Sequence, residues 1–300
     1  MRKRKNIVLC CALAGLLACL LSLSGCNASA HQEDKGSSSS QGASSSTTSA
    51  PDSSGSASLP EDGSSSSDSS APQQPDVSEP ESPATPYNFS SPAPESDPVD
   101  NSYFQDAAFI GDSRTDGFLI YSGIGCGENL TSNGLSIFKL ESKKAITIDG
   151  QSYTALEALG RKQYGKVYLS LGVNELGYYD DQGFYEAYCR AIDAIRACQP
   201  NAVIYIQGLI PLNESVIAAT GGASYLTNEH LLVYNDLMKQ AAEEKQVVFL
   251  DLNPAFTGPD GQLPEDASRD GVHLTKAYCE QWLDYLKTHT VDYDTLYPAG

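Results

Sequence analysis

Ala107-Ala108-Phe109-Ile110-Gly111-Asp112-Ser113-Arg114 is a short apolar run that stops at a glycine and passes directly into polar residues. The run Ala107–Ile110 is too short for a helix and reads as a strand buried on both faces, as in a parallel sheet. Val167–Leu171, Ala202–Ile206 and Val247–Leu250 have the same length and β-branched character. Helical periods lie between them. Phe184, Ala187, Tyr188, Ala191, Ile192, Ile195 and Cys198 recur at three- and four-residue steps until Pro200. Leu231, Tyr234, Met238, Ala241 and Ala242 repeat the pattern after a Thr227 or Asn228 cap, and Leu274, Tyr278, Trp282, Tyr285 and Leu286 repeat it again. Strands alternating with helices predict βαβ units and an α/β fold, a three-layer α/β/α sandwich on a mostly parallel sheet.

Open parallel sheets bind ligands beyond the carboxyl ends of their strands, so residues at those ends are the first candidates for chemistry. Ser113 stands at one such end. Gly-Asp-Ser is equally a good turn and helix cap, and the G-x-S-x-G elbow is absent because position 115 is Thr. A second end carries Gly172-Val173-Asn174-Glu175, where an amide could donate to an oxyanion or simply serve a βα turn. Asp270-Gly271-Val272-His273 precedes the last helix, a spacing at which the carboxylate can orient the imidazole and leave its other nitrogen as a base. The remaining histidines, His31, His230 and His289, are expected to be solvated or structural.

Gly111-Asp112-Ser113, Gly134 within Ser132-Asn133-Gly134-Leu135, Gly172-Val173-Asn174 and Asp270-Gly271-Val272-His273 together resemble the four signature blocks of the SGNH (GDSL-like) hydrolases, in the family's order. The resemblance spans residues 103–288 and implies a flavodoxin-like sheet. It also implies Ser113 as nucleophile, His273 as general base and then acid, and Asp270 as the group that orients it. The N–H groups of Ser113 and Gly134 and the Asn174 side chain would form the oxyanion hole, with no metal or organic cofactor.

Arg114 stands where the family usually has Leu. It can pair with Asp116, contact an anionic substrate or cover the surface, and the ion pair is the preferred reading. Arg114 and Tyr178 are the candidate substrate contacts, with Tyr179 and Tyr225 (in a long 209–227 loop) nearby. Glu175 is expected to brace its turn. No lid-like apolar segment appears, which points to short acyl groups, acetyl first, on a small ester or an extracellular glycan. The rival readings are an O-acetyltransferase using the same serine and a non-catalytic glycan-binding module.

Outside the domain, Arg2–Lys5 and the apolar run Ile7–Leu23 describe an export leader. Leu23-Ser24-Gly25-Cys26 resembles a bacterial lipobox, which implies cleavage before Cys26, lipidation there, and anchoring on the outer face of the cell membrane. An uncleaved anchor helix is the alternative. Residues 1–25 are thus leader, 26–100 a lipidated Cys and disordered Ser/Pro-rich spacer, and 101–300 the hydrolase domain. The spacer has too few large apolar side chains to offset the entropy of ordering, and would hold its ends roughly 45–50 Å apart.

The net charge is −19; removing the four basic leader residues from that total leaves −23. Such a charge argues against nucleic acid as a partner, because that binding rests on Lys and Arg neutralising phosphates, and makes any anionic polymer a poor long-range partner, though local basic spots can still act. Cys126, Cys189, Cys198 and Cys279 lack zinc-ligand spacing. They read as small core residues, with a Cys126–Cys279 bridge left open.

Overall fold

A computed structural model of the chain describes residues 86–298. The leader, Cys26 and the spacer as far as residue 85 lie outside the described residues.

In chain order the elements are β1 (Ala107–Gly111), α1 (Ser113–Tyr121), β2 (Glu128–Thr131), β3 (Ile146–Ile148), β4 (Gln151–Tyr153), α2 (Ala155–Leu159), β5 (Lys166–Ser170) and α3 (Asp181–Cys198). There follow β6 (Val203–Gln207), α4 (Glu214–Ala219), α5 (Asn228–Lys245), β7 (Val248–Leu250), α6 (Asn253–Phe256), α7 (Lys276–Lys287) and α8 (Tyr293–Leu296). Five strands form one parallel sheet in the order β2-β1-β5-β6-β7. β3 and β4 make a separate antiparallel hairpin.

The central strands are buried on both faces because each face has its own helical layer. Ala108, Ile110, Val167, Leu169, Ile204, Ile206 and Phe249 pack with α2, α3 and α5, while Ala107, Phe109, Tyr168, Val203, Tyr205, Val248 and Leu250 pack on the side of α1 and α7. This alternation is the period-2 geometry of a strand between two apolar layers. Fully burying one aromatic such as Phe184 or Trp282 contributes about 2–3 kcal/mol. The result is the three-layer α/β/α sandwich that the sequence predicts.

Of the two caps expected for α5, Thr227 is the one used, accepting the His230 N–H. Two boundaries differ from expectation. The 209–227 segment contains α4 rather than being loop throughout. Residues 86–100, assigned to the spacer by composition, lie against the domain. Ala93 N–H donates to Phe249 O at 2.8 Å, Ser96 N–H to Thr288 O at 2.6 Å, and Ala93 is buried with Tyr87, Phe89 and Val99 beside it. The four described cysteines are free, Cys189 and Cys279 buried and the other two half-buried.

Candidate active site

β1 is flanked by β2 on one side and β5 on the other, so the chain leaves in opposite directions from their carboxyl ends and a crevice opens there. β1 ends at Gly111, and α1 begins two residues later with Asp112 as its cap, accepting the Arg114 N–H at 2.9 Å. A Cβ on Gly111 would stand 2.1 Å from Thr115 Oγ1, so only glycine lets the first turn fold this tightly against the strand. As the first helical residue, Ser113 has a backbone N–H without an intrahelical partner.

The three residues of the implied triad meet. Ser113 Oγ lies 2.8 Å from His273 Nε2, and His273 Nδ1 lies 2.7 Å from Asp270 Oδ2. The other Asp270 oxygen accepts the N–H groups of Val272 and His273 at 2.9 and 2.8 Å and the Ser268 hydroxyl at 3.0 Å. Partial burial works against the Asp270 charge, but those hydrogen bonds and His273 outweigh it and hold the carboxyl well below the usual range. A carboxylate at Nδ1 requires the proton there, which leaves Nε2 as acceptor for the serine hydroxyl.

The oxyanion side is built from the loop after β2 and the turn after β5. Gly134 has φ +64°, a left-handed value that favours glycine although a Cβ would meet nothing. Its neighbour Asn133 lines the same cavity as Ser113. Asn174 Nδ2 donates to Leu135 O and to Asp112 Oδ2, at 3.1 Å each. Those two contacts use both amide protons, so an oxyanion would compete with one of them. Glu175 is fully buried, one of its oxygens accepting the Ile137 N–H and the other without a partner. It therefore clamps the Gly134 loop to the Asn174 turn, the bracing role expected of it. Burial pushes its carboxyl up to about 7 against the pull of that hydrogen bond.

The expected Arg114–Asp116 ion pair and the expected place of Tyr178 both differ in the structure. Arg114 neither pairs with Asp116 nor faces solvent: it is 6 % exposed, its guanidinium donates to Ile210 O at 3.0 Å, and Nε and one terminal nitrogen have no partner. Asp116 instead accepts from Asn129 and Thr131. The side chain of the second residue of α1 is directed into the protein, beside a small void shared with Asp112 and Trp282, and ties the 208–213 loop to α1 through Ile210; Arg114 also borders the cavity that contains Ser113. Tyr178 is 57 % exposed and packs on Phe138 with ring centroids 5.5 Å apart and the ring planes tilted by 54°. It lines neither cavity that reaches Ser113 or His273. His230 is structural, its nitrogens 2.8 Å from Leu176 O and 2.9 Å from Asp181.

The sequence reading overlooked Asp112 as a partner of Asn174, and Ser268 and Tyr121. Ser268 lies two residues before Asp270, a spacing typical of local side-chain hydrogen bonds, and was legible in principle. Tyr121 carries no such signal, because only the α1–α7 packing brings it beside His273. Among the described residues, no group of three or more His, Cys, Asp or Glu side chains is placed to hold a metal ion.

The family model of the GDSL-like lipases/acylhydrolases matches residues 109–278, more than half of the chain. The chain belongs to that family. By family, this acylhydrolase is an SGNH-type ester hydrolase. No curated protein matches it. Among solved structures it is similar to a Streptococcus pneumonia protein provisionally described as a platelet activating factor, with 22 % identity over 66 % of this chain and 85 % of the other and a TM-score of 0.50. A GDSL-like lipase from Bacteroides thetaiotaomicron matches with 14 % identity over 62 % and 87 % and a TM-score of 0.43. A peptidoglycan O-acetylesterase matches with 18 % identity over 55 % and 46 % and a TM-score of 0.42. The likeness to the Streptococcus protein, at 22 % identity, speaks for the fold of the acylhydrolase and not for its substrate.

Proposed function

We propose that this acylhydrolase is a serine esterase that removes short acyl groups, acetyl first, from an extracellular glycan or small ester. In this reading it is held on the outer face of the cell membrane by a lipid on Cys26. The observation that carries the catalytic part is the unbroken chain of hydrogen bonds from Ser113 Oγ through His273 to Asp270. His273 Nε2 takes the hydroxyl proton as Ser113 Oγ attacks the acyl carbon, and returns it to the leaving alkoxide. Asp270 stays ionised and stabilises the imidazolium formed between those steps. The developing oxyanion is received by the N–H groups of Ser113 and Gly134, joined by Asn174 when its amide gives up Leu135 O or Asp112. One such donor typically contributes about 3–4 kcal/mol to the transition state. Water then attacks the acyl-enzyme with His273 again as base; the acyl bond to Ser113 Oγ breaks, His273 returns the proton to that oxygen, and the carboxylic acid leaves.

A short acyl group is supported by the cavity containing Ser113. It holds about 280 Å³ and is bordered by Gly117, Leu274 and Cys279, near the lower limit of small-ligand sites at about 300–1,000 Å³. The address rests on the leader and the Leu23-Ser24-Gly25-Cys26 pattern.

Hydrolysis of p-nitrophenyl acetate, butyrate and octanoate by the full chain tests this reading. Turnover should fall in that order, and both Ser113→Ala and His273→Ala should lower kcat by at least about 10³-fold. Turnover indifferent to Ser113 would refute the assignment. Release of free acetate, rather than transfer to a sugar hydroxyl, separates hydrolysis from acyl transfer.

A further inference from the structure

Three cavities lie side by side across the candidate active site and share their walls. The central one contains Ser113. Tyr121, His273 and Leu274 border both it and a cavity of about 400 Å³ on the imidazole side. Asp116 and Asn133 border both it and a cavity of about 520 Å³ on the side of β2. Each flanking cavity is by itself large enough for a small ligand. Shared walls make the three one groove with the nucleophile at its middle, a shape suited to a chain bound on both sides of the reacting ester.

The two ends differ in chemistry. The imidazole-side cavity is bordered by Arg269 and Lys276, with half-exposed Tyr121 between them and Ser113. Arg269 makes no hydrogen bond or ion pair with any described residue. Lys276 has only an exposed partner one turn along α7, Glu280, at 3.3 Å, a contact of little energetic worth. The carboxylate there, Asp270, is already committed to His273 and its neighbours. In a chain of net charge −19, an uncommitted arginine and a lysine at the rim of the candidate site are a local exception. The β2-side cavity has the opposite character: Asp116 faces it with Asn129, Thr131, Ser132, Asn133 and Thr147, a wall of hydroxyl and amide groups around one carboxylate. Lys143 donates to Asn133 O at 3.2 Å but does not line that cavity.

We infer that the groove takes an acylated polysaccharide in a fixed direction. The sugar unit on the imidazole side carries a carboxylate received by Arg269 and Lys276, and the unit on the β2 side is uncharged. This rests on the proposed function for the position of the reacting ester, and adds the polymeric, acidic nature of the substrate. A guanidinium matches a carboxylate with two parallel hydrogen bonds, which supplies orientation as well as attraction. Tyr121 can lie against a sugar face while its hydroxyl remains wet.

Binding by the full-length Ser113→Ala chain, which cannot turn substrate over by the proposed route, tests the inference apart from catalysis. The probes are an O-acetylated oligogalacturonate and an O-acetylated xylo-oligosaccharide of equal length, titrated at low salt. The acidic probe should bind at least about tenfold more tightly, and 1 M salt should erase most of that preference. Arg269→Gln combined with Lys276→Gln should abolish it, whereas Arg269→Lys, which keeps the charge, should retain a measurable part. Equal affinities for the two probes, or a preference that survives the double substitution, would overturn the inference. Loss of ester hydrolysis by the wild-type chain is a separate result that counts against the proposed function only.

Discussion

At the residue scale, position matters more than identity. Ser113 and Arg114 are adjacent, yet the start of α1 turns one toward His273 and directs the other into the protein, where burial pulls its guanidinium down to about 10. A sequence shows a cation beside a nucleophile; it does not show which way the first helical turn faces. Ser113, His273 and Asp270 were legible because their partnership is written in short local patterns at strand ends, whereas Arg114's partner, Ile210 O, is 96 residues away. Glu175 yields a pH prediction. Its folded value of about 7 lies above the ordinary 4.5, so between those values the folded state keeps a proton that the unfolded state has released. Stability therefore falls as pH rises through that window, and the penalty is complete above about pH 7. Glu175→Gln keeps an acceptor for the Ile137 N–H without the charge. Its urea midpoint relative to wild type should be higher at pH 8 than at pH 5, and an unchanged difference would remove Glu175 from this role.

At the element scale, the strands that cross the core announced themselves as apolar runs, while β2 did not. Two of its four residues are exposed at the sheet edge, and Glu128-Asn129-Leu130-Thr131 has no apolar run to read. The β3–β4 hairpin is equally silent, its strands being only three residues each, β3 alternating apolar with polar side chains and β4 mostly polar. What the sequence could not convey is how closely β1 and α1 approach. Gly111→Ala would force a Cβ against Thr115 and push the first turn of α1 from the strand. Overpacking of this kind costs about 1–3 kcal/mol, and here it also displaces Ser113. Chemical denaturation should report that loss, with a fall in kcat/KM of at least about tenfold beyond it; wild-type kinetics would show that the contact relaxes without moving the nucleophile.

At the scale of the whole molecule, composition drew the domain boundary too late. Residues 86–100 look like the spacer that precedes them, with Pro92, Pro94 and Pro98 among serines and acids. A few side chains make the difference: Tyr87, Phe89, Ala93 and Val99 lie against the face of the sheet that α7 also covers. Sparse apolar residues in a proline-rich segment do not register as an element, because the segment forms none and is held by tertiary contacts. A fragment of residues 101–300 should therefore melt about 5–10 °C below one of residues 86–300, as a loss of a few kcal/mol does in a domain of this size. Equal melting temperatures would show that the segment only rests on the surface. A mostly parallel sheet with chemistry at its strand ends followed from alternating strands and helices; the strand order, the groove and its charge asymmetry came only from packing.

The proposed function stands on Ser113 as the nucleophile and His273 as its base. A fluorophosphonate probe, which is attacked by an activated serine and stays bound, tests it most directly by intact-mass and peptide mass spectrometry of the full chain. One adduct should form, on Ser113, absent from Ser113→Ala and at least about 10²-fold slower to appear in His273→Ala. An adduct on another residue, or a rate that does not depend on His273, would contradict it.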